Sequence, residues 1–226
     1  MSARTVDVVS SNTGKRDSLR LVTACRAERT TVHGALGAAL LLALDAQIRG
    51  TAPRRLGLNS LADLRGVLAG GLNERDLGLY VATLGTTHEV ARETGFWDLA
   101  REVRARLQAI VDSGDANLIH SFYPQIALFP LDRRGAGMVQ KVVTLAPPAS
   151  MLTNIGRLED VTLGNGARVE SIAFLLAPPP QHPVCVTAAT YAGCMYLNLA
   201  YDPDKLDTRR AGAIATGMMQ HLERGA

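Results

Sequence analysis

The stretch that decides the fold, residues 151–202, reads MLTNIGRLEDVTLGNGARVESIAFLLAPPPQHPVCVTAATYAGCMYLNLAYD. An Asn-Gly pair at 165–166 predicts a turn. Beyond it lie three runs rich in residues that favour β-structure: 168–176, 183–191 and Cys194–Tyr201. Because only Ala192 and Gly193 separate the last two, they are expected to pair as an antiparallel hairpin. This stretch therefore predicts three consecutive strands.

Upstream, helical and strand-like patterns alternate. Apolar residues at helical spacing predict helices over 15–28, 32–48, 96–113 and 204–224. The helix over 32–48 is apolar nearly all round, which is typical of a buried helix, and a threonine hydroxyl at 30 or 31 can cap it. Alternating patterns predict strands at 4–9, 55–61 and 78–85, and residues 117–148 are expected to hold a helical turn and a strand. Together they predict an α/β (α+β) fold, a mixed sheet with helices packed mainly on one face, over 1–226 as a single domain.

Composition excludes several classes of function. The chain has 226 residues with 47% hydrophobic and 20% charged content, which is typical of a folded soluble protein. The net charge is +3, and the basic residues form no run longer than about two. Only 4% of residues are aromatic. Both features argue against nucleic-acid binding. The N-terminus has no signal-peptide pattern, and the apolar run 34–44 is too short to span a membrane. A cytoplasmic protein is expected.

No group of residues forms a persuasive active site. The five histidines, His33, His88, His120, His182 and His221, are scattered and no two have the spacing of metal ligands. No Gly-x-Ser-x-Gly or phosphate-binding loop is present, and the three cysteines fit no zinc or redox motif. His33 lies at a helix start, where the positive end of the helix dipole lowers its pKa; it is interpreted as structural, and a neutral base is the alternative. The sequence therefore predicts no catalytic residue, metal or cofactor.

Short motifs nevertheless occur in a telling order. They are the helix over 32–46, SLADLR at 60–65, DLGLY at 76–80, FWDLA at 96–100 and TNIG at 153–156. In order and spacing they resemble the C-terminal lobe of the condensation-domain and alcohol acyltransferase superfamily, the two-lobed relatives of chloramphenicol acetyltransferase. The resemblance is closest to the branch that acylates lipids and alcohols. It implies a single chloramphenicol acetyltransferase-like lobe.

The resemblance implies roles for three residues. Arg65 matches the arginine that pairs, across the lobe interface, with the aspartate of a His-His-x-x-x-Asp-Gly motif in the other lobe. A planar guanidinium suits that contact, although a surface arginine after a strand remains an equal alternative. Asn154 and Gly156 match a Ser-Asn-x-Gly segment that lines the acceptor side of the substrate tunnel.

Two departures from the family pattern limit what the chain can do. It has no His-His-x-x-x-Asp-Gly motif, and hence no base for an acceptor hydroxyl or amine. It also lacks an Asp-Phe-Gly-x-Gly loop, and TLGNG at 162–166 stands near that place. The chain alone is therefore expected to be inactive.

Three functions stay open at this point. The first is the C-terminal half of an acyltransferase or condensation enzyme that uses coenzyme A or an acyl carrier protein, with a separate N-terminal-lobe chain supplying the histidine. A lone lobe would expose an apolar wall and could instead self-associate. The second is a non-catalytic module that docks a carrier protein or a biosynthetic enzyme through basic helical faces. The third is a remnant of a longer gene. The acyl donor, the acceptor and the oligomeric state are not specified by the sequence.

Overall fold

The computed structural model describes residues 5–48, 50, 52–66, 71–73, 76–117, 130, 132–144, 149–164 and 166–226. The strands are β1 (Asp7–Asn12), β2 (Arg54–Asp63), β3 (Val81–Val90), β4 (Ala149–Arg157), β5 (Val184–Tyr191) and β6 (Cys194–Tyr201). The helices are α1 (Lys15–Ala27), α2 (Val32–Asp45), α3 (Phe96–Asp112), α4 (Arg133–Thr144) and α5 (Thr208–Gly225), with a 3₁₀ turn at Asp115–Asn117. The strands form one sheet in the order β1-β6-β5-β4-β2-β3. The predicted mixed α/β fold is confirmed.

Three neighbouring strands of the sheet run parallel. β4 pairs in parallel with β2 on one side and with β5 on the other, while every other pairing is antiparallel. The carboxyl ends of β2, β4 and β5 therefore meet at one edge of the sheet, which we call the carboxyl edge. In open sheets with parallel strands, ligands commonly bind outside this edge.

Four helices, α1, α2, α3 and α5, cover one face of the sheet and form the main core with it. α2 lies at the centre of that core, and Leu36, Leu40 and Leu41 are fully buried. They belong to one cluster with Leu58 of β2 and Leu152 of β4. Because α2 also packs between α3 and α5, it has no polar stripe, as its sequence predicts.

The predicted strand over residues 168–176 is wrong. It forms no ladder, and an isolated bridge between Thr162 and Arg168 is its nearest approach to β-pairing. The segment instead packs on the face of the sheet opposite the helices. There Asn198 Nδ2 donates to Phe174 O over 3.1 Å, and Tyr191 Oη donates to Val169 O over 3.0 Å. Since sheet side chains satisfy its carbonyls, residues rich in β-formers lie extended without a strand partner.

Other boundaries differ from the predictions by a few residues. β3 spans Val81–Val90 rather than 78–85, because it pairs along the whole of β2, from Arg54 with Val90 to Asp63 with Val81. α2 ends at Asp45 rather than 48, and α5 begins at Thr208 rather than 204. The predicted Asn-Gly turn includes residue 165, which lies outside the described residues, as does most of the predicted strand and turn region 117–148.

The hairpin between β5 and β6 is confirmed. Tyr191 pairs with Cys194, so Ala192 and Gly193 form a two-residue turn, with φ of +48° and +82°. Positive φ at both central residues defines a turn whose twist matches that of the flanking strands. β6 then pairs with β1, which joins the two ends of the described chain in one sheet.

The cap of α5 gives a first testable expectation. Asp207 Oδ1 accepts a hydrogen bond from Arg210 N over 2.9 Å, which satisfies a backbone donor of the first turn. Asp207→Ala is expected to lower the free energy of unfolding by about 1 kcal/mol, measured by urea denaturation. Asp207→Asn keeps the hydrogen-bond acceptor and loses only the charge, so it should lower the free energy of unfolding by only a fraction of that amount. Equal losses in both variants would assign the effect to the exposed ion pair with Arg210 instead.

Within the described residues, no helix combines the length and apolar content that crossing a bilayer requires.

Candidate functional site at the carboxyl edge

The amino end of α2 points to the carboxyl edge of the sheet. His33, in the first turn of α2, lies 2.8 Å from Ser60 near the end of β2, measured between Nε2 and Oγ. Val32 lines a groove together with Asn154 and Gly156 at the end of β4. Thr31 fixes the residue at which this helix begins, because its Oγ1 accepts a hydrogen bond from Gly34 N over 3.0 Å.

Asn154 and Gly156 form a tight turn at the end of β4. Asn154 Oδ1 accepts a hydrogen bond from Gly156 N over 2.9 Å, at an irregularity in the pairing of β4 with β5 between Asn154 and Arg157. Gly156 has φ of +78°, and a Cβ there would meet no atom within 4 Å. The glycine is therefore needed for its backbone conformation rather than for close approach within this chain. Among the described residues, the Asn154 amide nitrogen has no hydrogen-bond partner.

A groove of about 530 Å³ lies between this turn and α1. Among the described residues, three cationic ones, Lys15, Arg26 and Arg157, line it, and no acidic one does. Leu19 and Val22 of α1 add an apolar strip, and Leu19 is 68% exposed. A groove with these two properties suits an anionic ligand that also carries an apolar part.

Arg65 follows β2 and also lies at the carboxyl edge. Its Nη1 lies 2.9 Å from Asp63 Oδ2, and its guanidinium lies 5.4 Å from the centre of the Tyr80 ring. Among the described residues, its buried Nε has no hydrogen-bond partner. Arg65 does not hydrogen-bond to Asn154 or Gly156. The ion pair and the ring orient the guanidinium and leave one buried donor unused.

The sequence predicts a lowered pKa for His33 from the helix dipole, but it does not indicate the burial that lowers it in the structure. Burial lowers its pKa to about 4, so that the imidazole is uncharged at neutral pH. It lines a cavity of about 200 Å³ between α2, β2 and α3. The sequence signal for this burial was the position of His33, two residues after the capping Thr31 and in the first turn of a buried helix.

Two other histidines have structural partners. His88 is fully buried, with Nδ1 3.0 Å from Glu102 Oε1 and Nε2 2.9 Å from Thr86 Oγ1. This order of hydroxyl, imidazole and carboxylate resembles a catalytic relay, but no substrate can reach an imidazole with no exposed surface. His182 Nε2 lies 2.7 Å from Asn59 Nδ2. In the described part of the chain, no three His, Cys, Asp or Glu side chains cluster as metal ligands.

Three solved structures share this fold, and each is about twice as long as the region that this chain matches. Polyketide synthase associated protein 5 from Mycobacterium tuberculosis matches with a TM-score of 0.68 and 18% identity, over 97% of this chain and 52% of that one. Trichothecene 15-O-acetyltransferase from Fusarium sporotrichioides gives 0.73 and 12%, over 99% and 47%. The cyclization-docking bidomain of EpoB from Sorangium cellulosum gives 0.65 and 13%, over 100% and 42%. The chain thus spans about half the length of these proteins or less, and the likeness shows the fold.

No curated protein sequence matches the chain. A family model does match, over residues 3–201, and its description is phthiocerol/phthiodiolone dimycocerosyl transferase C-terminus. The resemblance found in the sequence motifs is confirmed as an acyltransferase-type lobe. The chain belongs to the family of phthiocerol/phthiodiolone dimycocerosyl transferase C-termini.

Proposed function

We propose that this chain, as one lobe over 1–226, forms one wall of an acyl-transfer site, and that a second lobe carrying His-His-x-x-x-Asp-Gly supplies the base. The observation that carries the proposal is the groove at the carboxyl edge, where Asn154 and Gly156 meet three cationic side chains. A thioester of coenzyme A or of an acyl carrier protein has phosphate groups and an apolar acyl chain. It matches both the charge and the apolar strip of this groove.

The roles of the two lobes follow from which side chains can accept a proton and release it again. In the reaction, a base removes the proton of the acceptor hydroxyl, the oxygen attacks the thioester carbon, and the C–S bond breaks. The same base then gives this proton to the departing thiolate. A base suited to this task has a pKa near neutrality, and His33, with its pKa lowered to about 4, is too weak. The residues of this chain bind and orient the substrate.

Arg65 would act at the contact between the two lobes. Its Nε has no partner among the described residues, while Asp63 already holds Nη1. That Nε is buried, whereas the side chain as a whole is 28% exposed, so a carboxylate from the second lobe would bind the exposed part of the guanidinium. Arg65 is therefore proposed to position the catalytic loop of the second lobe rather than to contact substrate.

The test is reconstitution of the two lobes. The chain is mixed with separately purified His-His-x-x-x-Asp-Gly lobes encoded near its gene, and complex formation and acyl transfer to an alcohol are measured. We expect no transfer by the chain alone and transfer by one stable pair. Arg65→Ala should lower the activity of that pair about 10- to 100-fold, whereas the exposed Arg134→Ala should not change it.

A matched pair on α1 tests the groove. Lys15 lines the groove and its neighbour Arg16 does not. Lys15→Ala is expected to raise the KM for the thioester several-fold more than Arg16→Ala does, with little change in kcat. Equal effects of both substitutions would place the donor elsewhere.

The basic groove also favours the alternative of a docking module. In that case, an immobilised chain would retain an acylated carrier protein in a salt-dependent manner, and no lobe would restore transfer. If neither retention nor transfer is found with any candidate, both functions are excluded.

A further inference from the structure

We propose that the cavity between α2, β2 and α3 is a second ligand site, which binds a small uncharged molecule with a hydroxyl group on an apolar body. The cavity is separate from the groove that holds Asn154 and Gly156, because the two share no lining residue. It measures about 200 Å³. The proposal goes beyond the proposed function and does not depend on a second lobe.

The lining is divided into a polar end and an apolar body. His33 and Ser60 form the polar end, with Nε2 and Oγ 2.8 Å apart. The body is lined by aliphatic residues of β2, β3 and α3, namely Leu61, Ala62, Leu84, Leu107 and Val111. Few polar groups at one end of an apolar cavity are the arrangement that orients small ligands.

The hydrogen-bonding state of His33 favours a hydroxyl group. Ser60 is 1% exposed and occupies Nε2, and no other hydrogen-bond partner of the ring lies among the described residues. Nδ1 therefore remains for a ligand. In an uncharged imidazole one nitrogen donates and the other accepts, so Nδ1 takes either role according to the tautomer. A hydroxyl group can both donate and accept a hydrogen bond, whereas a ketone or an ether can only accept one.

The surroundings favour a ligand without charge. The polar end itself carries no charged group: the charged lining residue, Arg104, is exposed, and its Nη1 donates to Arg29 O over 2.7 Å, while Gln108 Nε2 donates to Asp112 Oδ1 over 2.8 Å. The imidazole is uncharged at neutral pH. A charged ligand would lose its hydration without a compensating partner at the polar end.

The volume sets the size of the ligand. A protein cavity of about 150 Å³ holds benzene, so this slightly larger cavity fits about eight non-hydrogen atoms. Benzyl alcohol has that size and both required parts. Toluene has nearly the same shape and lacks the hydroxyl, so the two form a matched pair of probes.

The experiment uses the full chain alone, without acyl donor or second lobe. Binding of both probes is followed by protein NMR, through the shifts of the His33 ring and of methyl groups lining the cavity. We expect benzyl alcohol to bind in the millimolar range and roughly tenfold more tightly than toluene, which is the contribution of one hydrogen bond.

Variants of the cavity check the location. His33→Phe keeps an aromatic ring and removes both nitrogens, so it should abolish the preference for benzyl alcohol. Ala62→Leu fills the apolar body without touching His33 and should weaken both probes. His221→Phe, a change of the same kind on α5, should leave binding unchanged.

Three results would overturn the proposal: no binding of either probe, equal binding of both, or a preference that survives His33→Phe. Because no acyl transfer enters these measurements, they can fail while lobe reconstitution succeeds, and the reverse also holds.

Discussion

Gly34→Ala is expected to lower the free energy of unfolding by about 3 kcal/mol, although alanine is the better helix former. A Cβ at position 34 would lie 2.6 Å from Ala100 O and 2.6 Å from Thr30 Oγ1. Ala100 O is part of the α3 backbone and cannot move without shifting that helix. The same substitution would also disturb the buried hydrogen bond from Thr30 Oγ1 to Ala100 O, which is 2.8 Å long.

The matched control is Gly212→Ala in α5. A Cβ at position 212 would meet no atom within 4 Å, so only helix propensity acts there. That variant should gain up to about 1 kcal/mol. Urea denaturation of both variants gives the comparison. A stable Gly34→Ala protein would show that α2 and α3 are further apart than their packing here requires.

Stability is expected to fall by up to about 3 kcal/mol through His33 alone as the pH drops from about 6.5 to about 4. Burial lowers the pKa of His33 from 6.5 to about 4 in the folded protein. Between those values the unfolded chain binds a proton that the folded chain does not. The contribution of the uncharged His33 to the free energy of unfolding is therefore complete above about pH 6.5, and it is lost as the pH falls through the folded pKa of about 4.

Other histidines act in the same direction. Burial lowers the pKa of His88, against the opposing effect of its hydrogen bond to Glu102, and burial also lowers those of His182 and His221. Urea denaturation across this pH range measures the sum. His33→Gln should flatten the curve most strongly. If the slope of that variant equals the slope of the unchanged protein, the His33 ring is solvated rather than buried.

Elements with a local signal were predictable from the sequence. α2 is apolar on all sides and follows a capping threonine, and the hairpin turn at Ala192 and Gly193 is set by the two residues between its strands. The 168–176 segment was not predictable in this way. Its composition favours a strand, but a strand also needs a partner edge, and side chains of β5 and β6 take its carbonyls instead. Pairing partners are a property of the whole sheet.

The candidate site divides along the same line. Family motifs pointed to Arg65, Asn154 and Gly156, and all three lie at the carboxyl edge, although their roles stay predictions. The burial of His33 could not be predicted, because it depends on Ser60 of β2 and on residues of α3, which are distant in sequence. Burial of that ring, and the cavity beside it, exist only after three elements have packed together.

The pairing of β1 with β6 has a consequence for biosynthesis. Asp7 faces Tyr201, so nearly the whole chain must leave the ribosome before β1 meets its neighbour. Until then β1 has no native edge to join, although α1, which follows it, can already pack against α2. Sheets closed by such distant segments form slowly and expose unpaired edges meanwhile. β1 therefore stays unpaired until β6 has been synthesised, and that late pairing completes the sheet.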